Sequence, residues 1–211
     1  MTEIPEGIEI EEQPVRVAGL DLKLQIPKDF EKLLEYYAQH FPEGADLIPY
    51  HGILWPSSLA LADHLASRFP TMAGIDVVEL GCGLGLPSIV AARRGARVTA
   101  TDFHPGNPQF VLRNAEVNGA TVEYRRLPWT SPPEGLTFGV VMGSDLVYQK
   151  TSLEALVDCS TRLCAPEGKI ILSDPGREFL QLAVSMVEDR GFASAVWIVR
   201  DCFVVEFERR G

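Results

Sequence analysis

The stretch from Ile75 to Asp102, IDVVELGCGLGLPSIVAARRGARVTATD, constrains the fold more than any other part of the chain. Ile75, Val77 and Val78 form a short apolar run, the pattern of a strand buried on both faces. Gly81, Gly83 and Gly85 follow at alternate positions, where the missing Cβ permits positive φ and lets a ligand approach the backbone. Leu86 to Arg94 has helical composition and closes at Gly95, a residue suited to a C-cap. Val98 to Thr101 returns as a second strand with Asp102 at its end. The unit is half of a doubly wound nucleotide site: a glycine turn for the ligand's polar tail and an acid for its ribose hydroxyls.

The spacing discriminates among nucleotides. A dinucleotide fingerprint needs G-x-G-x-x-G/A, with a small last residue for close packing of helix on strand. Here the third glycine comes one place early and Leu86 fills the small position, which counts against a dinucleotide oxidoreductase. A phosphate-cradling loop would need Lys and Ser/Thr after its last glycine, and neither is present.

The 211 residues suit one domain, and 46% apolar with 23% charged residues is ordinary for a globular chain with a full core. The formal net charge of −10 argues against a broad phosphate-binding surface, so neither nucleic acid nor membrane is an expected partner. Cys82, Cys159, Cys164 and Cys202 show no C-x-x-C spacing, which suggests buried reduced thiols and a cytoplasmic protein. His40, His51, His64 and His104 are scattered, leaving no metal site in view. No apolar leader and no run of 18 apolar residues is present, so neither a signal peptide nor a membrane span is expected.

Residues 1–14 are acidic and proline-flanked and are expected to be loosely held. Alternation from Val15 to Ile26 about Ala18-Gly19 predicts a hairpin, and Phe30, Leu33, Leu34, Tyr37 and Phe41 put an amphipathic helix over 28–41. The segment 42–53 reads as irregular, and Pro56 opens the next helix. Beyond Asp102 the chain predicts a helix over 108–118, a strand over 121–125, a proline-rich loop, and a buried strand over 138–143. Thr151 and Glu154 have capping-box spacing before another helix. A strand over 169–173, a helix from Phe179 and a closing hairpin of 195–199 with 202–208 complete the chain. Alternating strands and helices imply an α/β fold: a doubly wound, mostly parallel seven-stranded sheet, covered by the N-terminal hairpin and helix. Residues 1–54 are expected to form that extension and 55–211 the core.

Four acids, Glu79, Asp102, Asp145 and Asp174, fall at four strand ends, where ligands sit in open α/β sheets. Asp174 has a helix N-cap as its alternative role. A carboxylate at Asp102 can accept both vicinal ribose hydroxyls. Phe103 is placed to line one adenine face and Trp129 the other, with a core tryptophan as the alternative for Trp129.

The heptapeptide Glu79-Leu80-Gly81-Cys82-Gly83-Leu84-Gly85 resembles the first motif of the seven-stranded S-adenosylmethionine-dependent methyltransferases. That resemblance implies S-adenosylmethionine as cofactor, S-adenosylhomocysteine as product, and a contact from Glu79 to the cofactor's amino group, usually through water. A second informative run is Gly143-Ser144-Asp145-Leu146-Val147-Tyr148. Its D-x-x-Y replaces the Asn/Asp-Pro-Pro-Tyr/Phe sequence common in enzymes that methylate base nitrogens. With Trp55 in LWPSSLALADHL and the ATDFHP run, it makes residues 55–177 resemble the seven-β-strand protein-lysine methyltransferases. SDPGR, Ser173 to Arg177, further resembles the GDPGR of the branch that methylates the electron-transfer flavoprotein β subunit.

The resemblance implies Asp145 and Tyr148 as the catalytic pair. It implies Trp55, Glu79, Gly81, Gly83, Gly85, Asp102, Phe103, Trp129 and Ser144 as the cofactor set. A lysine amine, with a reference pKa of about 10.4, must lose its proton before attacking a methyl group. A carboxylate raises an ammonium pKa, so Asp145 is better suited to orienting the amine than to removing its proton. Tyr148 supplies an aromatic wall that can hold the cation. Trp55 either roofs the methionine part of the cofactor or packs the helix start. The implied acceptor is a protein lysine, with a small-molecule amine or hydroxyl as the alternative. A non-catalytic binding subunit is a third reading, and the chain is expected to act as a monomer.

Overall fold

A computed structural model describes residues 4–41 and 47–211. Part of the predicted irregular segment, 42–46, lies outside the described residues. The central sheet has seven strands: β3 (Asp76–Leu80), β4 (Arg97–Asp102), β5 (Val122–Arg126), β6 (Phe138–Ser144), β7 (Cys164–Asp174), β8 (Phe192–Val199) and β9 (Cys202–Arg209). They lie in the order β5-β4-β3-β6-β7-β9-β8. The first five are parallel to one another, and β9 runs antiparallel to both β7 and β8.

Residues of β3 alternate between two cores. Val77 packs with Val140, Ile171 and Val204, beneath the helix α2 (Pro56–Arg68). Val78 packs with Val141, Ile170 and Val205, beneath α5 (Leu153–Leu163) and α6 (Leu180–Glu188). A strand sandwiched this way must be apolar on both sides, which is why β3 carries no period-2 polar pattern. Strand order reverses between β3 and β6: the chain builds outward through β4 and β5, then crosses back to place β6 on the other flank. Leu80 pairs with Gly143 there, so the glycine turn and the Asp145 segment leave the sheet side by side.

The N-terminal hairpin is β1 (Ile10–Val17) and β2 (Leu20–Pro27), in register from Ile10↔Pro27 to Val17↔Leu20. Ordered strand therefore begins at Ile10, inside the segment expected to be loose, because residues 10–14 pair with residues 23–27 of β2. Its outer edge is met by two amides of α4 (Asn107–Val117) and its cap. Asn118 exchanges two hydrogen bonds with the Lys23 backbone, at 3.0 and 2.7 Å, and Asn114 does the same with Gln25, at 2.6 and 3.3 Å. Four helical residues advance about 6 Å and two strand residues about 6.7 Å, so side chains at i and i+4 can substitute for a neighbouring strand. Helix α1 (Phe30–His40) follows, capped by Asp29, with Leu33 and Tyr37 facing inward.

The capping box expected at Thr151 and Glu154 does not form. Lys150–Ser152 is a single 3-10 turn and Ser152, the N-cap of α5, makes no side-chain cap bond. Ser152 and Leu153 already donate their N–H groups to Gln149 and Lys150 in that tighter spiral, and Ser152 has a helical backbone, so the boxed geometry has no extended N-cap to start from.

Replacing Asn118 by Ala leaves a paired N–H and C=O of β2 without protein partners and should cost about 1–2 kcal/mol in urea unfolding. Asn114→Ala/Asn118→Ala together should expose the hairpin to limited proteolysis ahead of the core; unchanged cleavage of residues 10–27 would refute the edge-pairing role.

Candidate active site

At the point of strand reversal lies a cavity of about 570 Å³, lined by the glycine turn, Asp102, Phe103, Trp129, Ser144, Asp145, Tyr148, Trp55 and Arg177, among others. The turn has three left-handed glycines, Gly81, Gly83 and Gly85, with φ of 58°, 51° and 80°. A side chain at Gly81 would strike Leu146 at 2.5 Å, and one at Gly85 would strike Val111 at 2.5 Å. At Gly83 the nearest atoms are 3.8 Å away, in the His51 backbone, so the closest approach of a ligand to main chain is available there. From below, α4 holds the turn still: Asn107 Nδ2 donates to the Gly83 carbonyl at 2.7 Å and Asn114 Nδ2 to that of Leu84 at 3.1 Å.

Glu79 is fully buried behind the turn and does not line the cavity. Its Oε2 accepts the Ser88 N–H at 3.0 Å and the Ser88 hydroxyl at 2.5 Å. Gly85, the N-cap of α3 (Leu86–Arg93), has no side chain, so Glu79 satisfies one of that helix's free donors from the preceding strand. Oε1 has no protein partner. Burial pushes the Glu79 carboxyl up to about 8, against the lowering effect of the Ser88 bonds.

Asp102 accepts the His104 N–H on Oδ1 at 3.0 Å and the Gly83 N–H on Oδ2 at 3.3 Å. Burial raises it to about 6 despite these bonds. Phe103, beside it, is exposed, and the Trp129 ring lies close to Gly81, 3.8 Å from where a Cβ there would sit. Trp55 ends the segment before α2 and donates its indole N–H to the Tyr50 carbonyl at 3.1 Å. Tyr50 stands 6.0 Å from both Trp55 and Tyr148, ring to ring, so three aromatic rings edge one side of the cavity.

Asp145 holds a left-handed backbone, φ 62°, unusual for a residue with a Cβ. Its N–H donates to the Ser173 carbonyl at 2.9 Å, tying the end of β6 to β7. The carboxylate forms an ion pair with Arg177. Asp174 orients that arginine: Oδ1 accepts the N–H groups of Gly176 and Arg177 at 2.8 and 2.7 Å, and Oδ2 pairs with the guanidinium at 3.1 Å. Asp174 is thus a turn-capping acid and not the cap of α6, which begins at Leu180 after Phe179.

Ten of the eleven expected site residues have a place in the cavity wall, and only Glu79 stands behind. Sequence reasoning missed Tyr50, His51 and the pairing of Arg177 with Asp145. Tyr50 and His51 lie in a 3-10 turn without periodic signal, whereas SDPGR was visible as a motif but said nothing of its target. The His51 ring lies 4.2 Å from that of His104, tilted by 41°; burial and that neighbour hold His51 well below the usual histidine range, and burial holds His104 near 4.

A family profile described as lysine methyltransferase matches residues 49–183, more than half of the chain. The chain belongs to the lysine methyltransferase family. Among curated relatives of this family member, the protein-lysine methyltransferase METTL21E of Bos taurus is 33% identical over 127 residues, 54% of this chain and 44% of the relative. EEF1A lysine methyltransferase 3 of Mus musculus is 30% identical over 129 residues, 59% of this chain and 55% of the relative. A ubiquinone biosynthesis O-methyltransferase of Methylocella silvestris is 30% identical over 117 residues, 55% of this chain and 46% of the relative. The chain spans about half the length of the curated relatives it matches. The fold of the family member is shared with the 16S rRNA N2 G1207 methyltransferase RsmC of T. thermophilus, at a TM-score of 0.72 and 20% identity over 98% of this chain and 52% of that one. It is shared also with magnesium protoporphyrin IX methyltransferase of Synechocystis, at 0.61 and 16% over 86% and 98%.

Glu79, raised from 4.5 in the unfolded chain to about 8, binds more protons folded than unfolded, so its contribution to stability is full below pH 4.5 and is lost as pH rises towards 8. In the ligand-free protein, Glu79→Gln should therefore gain on the wild type across that window, by at most about 1.4 kcal/mol per pH unit. Thermal unfolding between pH 4.5 and 8 measures this; a stability difference flat with pH would refute the raised carboxyl.

Proposed function

We propose that this chain is an S-adenosylmethionine-dependent methyltransferase acting on the lysine side chain of a protein. The observation that carries the reading is the meeting, in one cavity of a lysine methyltransferase family member, of the glycine turn and Asp102 with Asp145 and Tyr148. The residues fit the cofactor: Gly83 offers open main chain, and each Asp102 oxygen takes one N–H, leaving acceptor capacity for two ribose hydroxyls. Glu79 Oε1, buried and unpaired, supports its expected contact to the amino group through water. Phe103 and Trp129 are assigned the two faces of the adenine, Gly81 and Gly85 the turn, Ser144 the adjoining wall, and Trp55 the roof. Bound there, the cofactor supplies a methyl group on a sulfonium, already activated for transfer.

What remains for the protein is to deliver a neutral amine in line and to keep water out. Asp145 orients the nitrogen, and the rings of Tyr148, Tyr50 and Trp55 form an apolar collar that strips water from an entering alkylamine. The collar suits the cation that first arrives, by ring-face attraction, and the desolvated site then favours loss of its proton. Residues 1–54, hairpin and α1, serve as a cover attached to a core of 55–211. Four buried free thiols fit a cytoplasmic setting, and among the described residues no helix is long and apolar enough to cross a membrane. The SDPGR run is the reason for placing the chain near the flavoprotein β-subunit branch; the relatives described above carry other names.

The likeness to a ubiquinone O-methyltransferase favours a second reading, a small-molecule acceptor. Incubation of cell proteins with methyl-labelled cofactor, followed by mass spectrometry, decides between them. Label on a protein lysine is expected; label confined to small molecules would overturn the lysine assignment.

Cofactor binding has its own test. S-adenosylhomocysteine at about 100 times its Kd should stabilise the protein by about 2.7 kcal/mol, and Asp102→Ala should lose most of that shift. Because Asp102 must be ionised to accept two hydroxyls and its ligand-free carboxyl sits at about 6, calorimetric affinity should weaken about tenfold per unit as pH falls below 6. Asp102→Asn should bind weakly with no such slope; an equal slope in the variant would exclude Asp102 as its source.

A further inference from the structure

Among the described residues that line the cavity, Arg177 is the one arginine or lysine. It does not point away from the reaction centre. Its guanidinium pairs with Asp145, the acid assigned to the acceptor amine, and it is held there by Asp174, which is almost wholly buried and spends its other oxygen on the turn. Two carboxylates thus share one fixed cation at the place where a second cation, the acceptor ammonium, would arrive.

The consequence follows from charge. Two carboxylates without the arginine would carry −2 and would hold an ammonium firmly in its protonated, unreactive form. With Arg177 in place the triad carries −1, enough to guide a cation in, and much less able to retain its proton. We propose that Arg177 is a positioning residue that holds down the pKa of the acceptor amine by balancing the charge of Asp145, with Asp174 as the anchor that fixes it there. The inference rests on the amine-acceptor reading above.

The neighbouring groups are consistent with Arg177 as the principal charge control. From the β6 side the amine would face Asp145 and the Tyr148 phenol; from the β7 side, Asp174 and Arg177. From β9 comes the Cys202 thiol, whose pKa is raised first by burial and then by Asp145, Asp174 and Asp201, so it remains a neutral thiol near pH 7. From the segment before α2 come Tyr50 and Trp55, and from α2 itself Ser57, whose hydroxyl points to Cys202 at 3.9 Å. From α5 and the turn before it come Thr151, Ser152 and Ala155, all uncharged. Lys150 and Glu178 are exposed. Gly176, at φ +97°, lays the turn against the Phe203 ring, which leaves the arginine little room to swing towards β9.

Two experiments test the proposal, one of them independent of turnover. With S-adenosylhomocysteine bound, n-butylamine, which reproduces the lysine side chain, is titrated by NMR from pH 7 to 10. The pH dependence of its affinity reports the pKa of the bound amine. Arg177→Gln should raise that pKa by about one to two units, tightening binding about 10- to 100-fold at pH 7. Arg177→Lys, which keeps the charge, should stay near the wild type. In methyl transfer, Arg177→Gln should lower kcat and KM together near neutral pH and recover kcat as pH rises. S-adenosylhomocysteine binding by each variant confirms the fold. Loss of rate equal at every pH, an unshifted butylamine profile in Arg177→Gln, or no butylamine binding by any form would overturn the proposal. Failure of the lysine reading would show separately, as absence of label on protein lysines while the butylamine profiles still respond to residue 177.

Discussion

The parallel pairing of Leu80 with Gly143 is the constraint on which the site depends. It brings two strand ends from opposite halves of the sheet to the same level, so that the glycine turn and the Asp145–Tyr148 run open into one cavity. Leu146, inside the D-x-x-Y run, locks them. A Cβ at either Gly81 or Gly143 would meet its side chain at 2.5 Å, so the leucine fills the space that both glycines leave. The glycines therefore do two jobs: they turn the chain, and they admit the residue that couples one half of the site to the other.

The buried acids illustrate three solutions to one cost. Ionised carboxylates removed from water are unfavourable unless something replaces the solvent. Glu79 gives up its charge over most of the pH range, held by Ser88 at the start of a helix. Asp102 keeps two backbone donors and stands at about 6, poised for a ligand that brings more. Asp145 and Asp174 share an arginine. The acid with two backbone donors, the acid at a helix start and the acids that share an arginine are distinguished by their partners and not by their position at strand ends.

Coverage of this site is a matter of edge chemistry. The hairpin would present an open strand edge at β2, a hazard for unwanted pairing. Asn114 and Asn118 close it, and Asn114 reaches on to the Leu84 carbonyl in the glycine turn. One helix face therefore links the hairpin to the glycine turn through a single side chain.

The α/β order, the strand-turn-helix-strand unit and both hairpins were legible in the sequence because each is written in local patterns: apolar runs, alternation, and glycines where φ must be positive. The Asp102 and Asp145–Tyr148 positions were legible for the same reason, each following a strand by a fixed step. Other features had no local signature. The start of β1 inside an acidic segment depends on β2, the failure of the Thr151 capping box depends on a 3-10 turn, and the aromatic collar draws Tyr50 from a segment without period. Arg177 meets Asp145, 177 − 145 = 32 positions earlier in the sequence, only because β6 and β7 are neighbours and a 2.9 Å bond joins Asp145 to Ser173. Backbone conformation is decided within a few residues and so leaves a trace in the sequence. The partner of a charge is decided by which strand ends lie side by side, and that belongs to the tertiary structure alone.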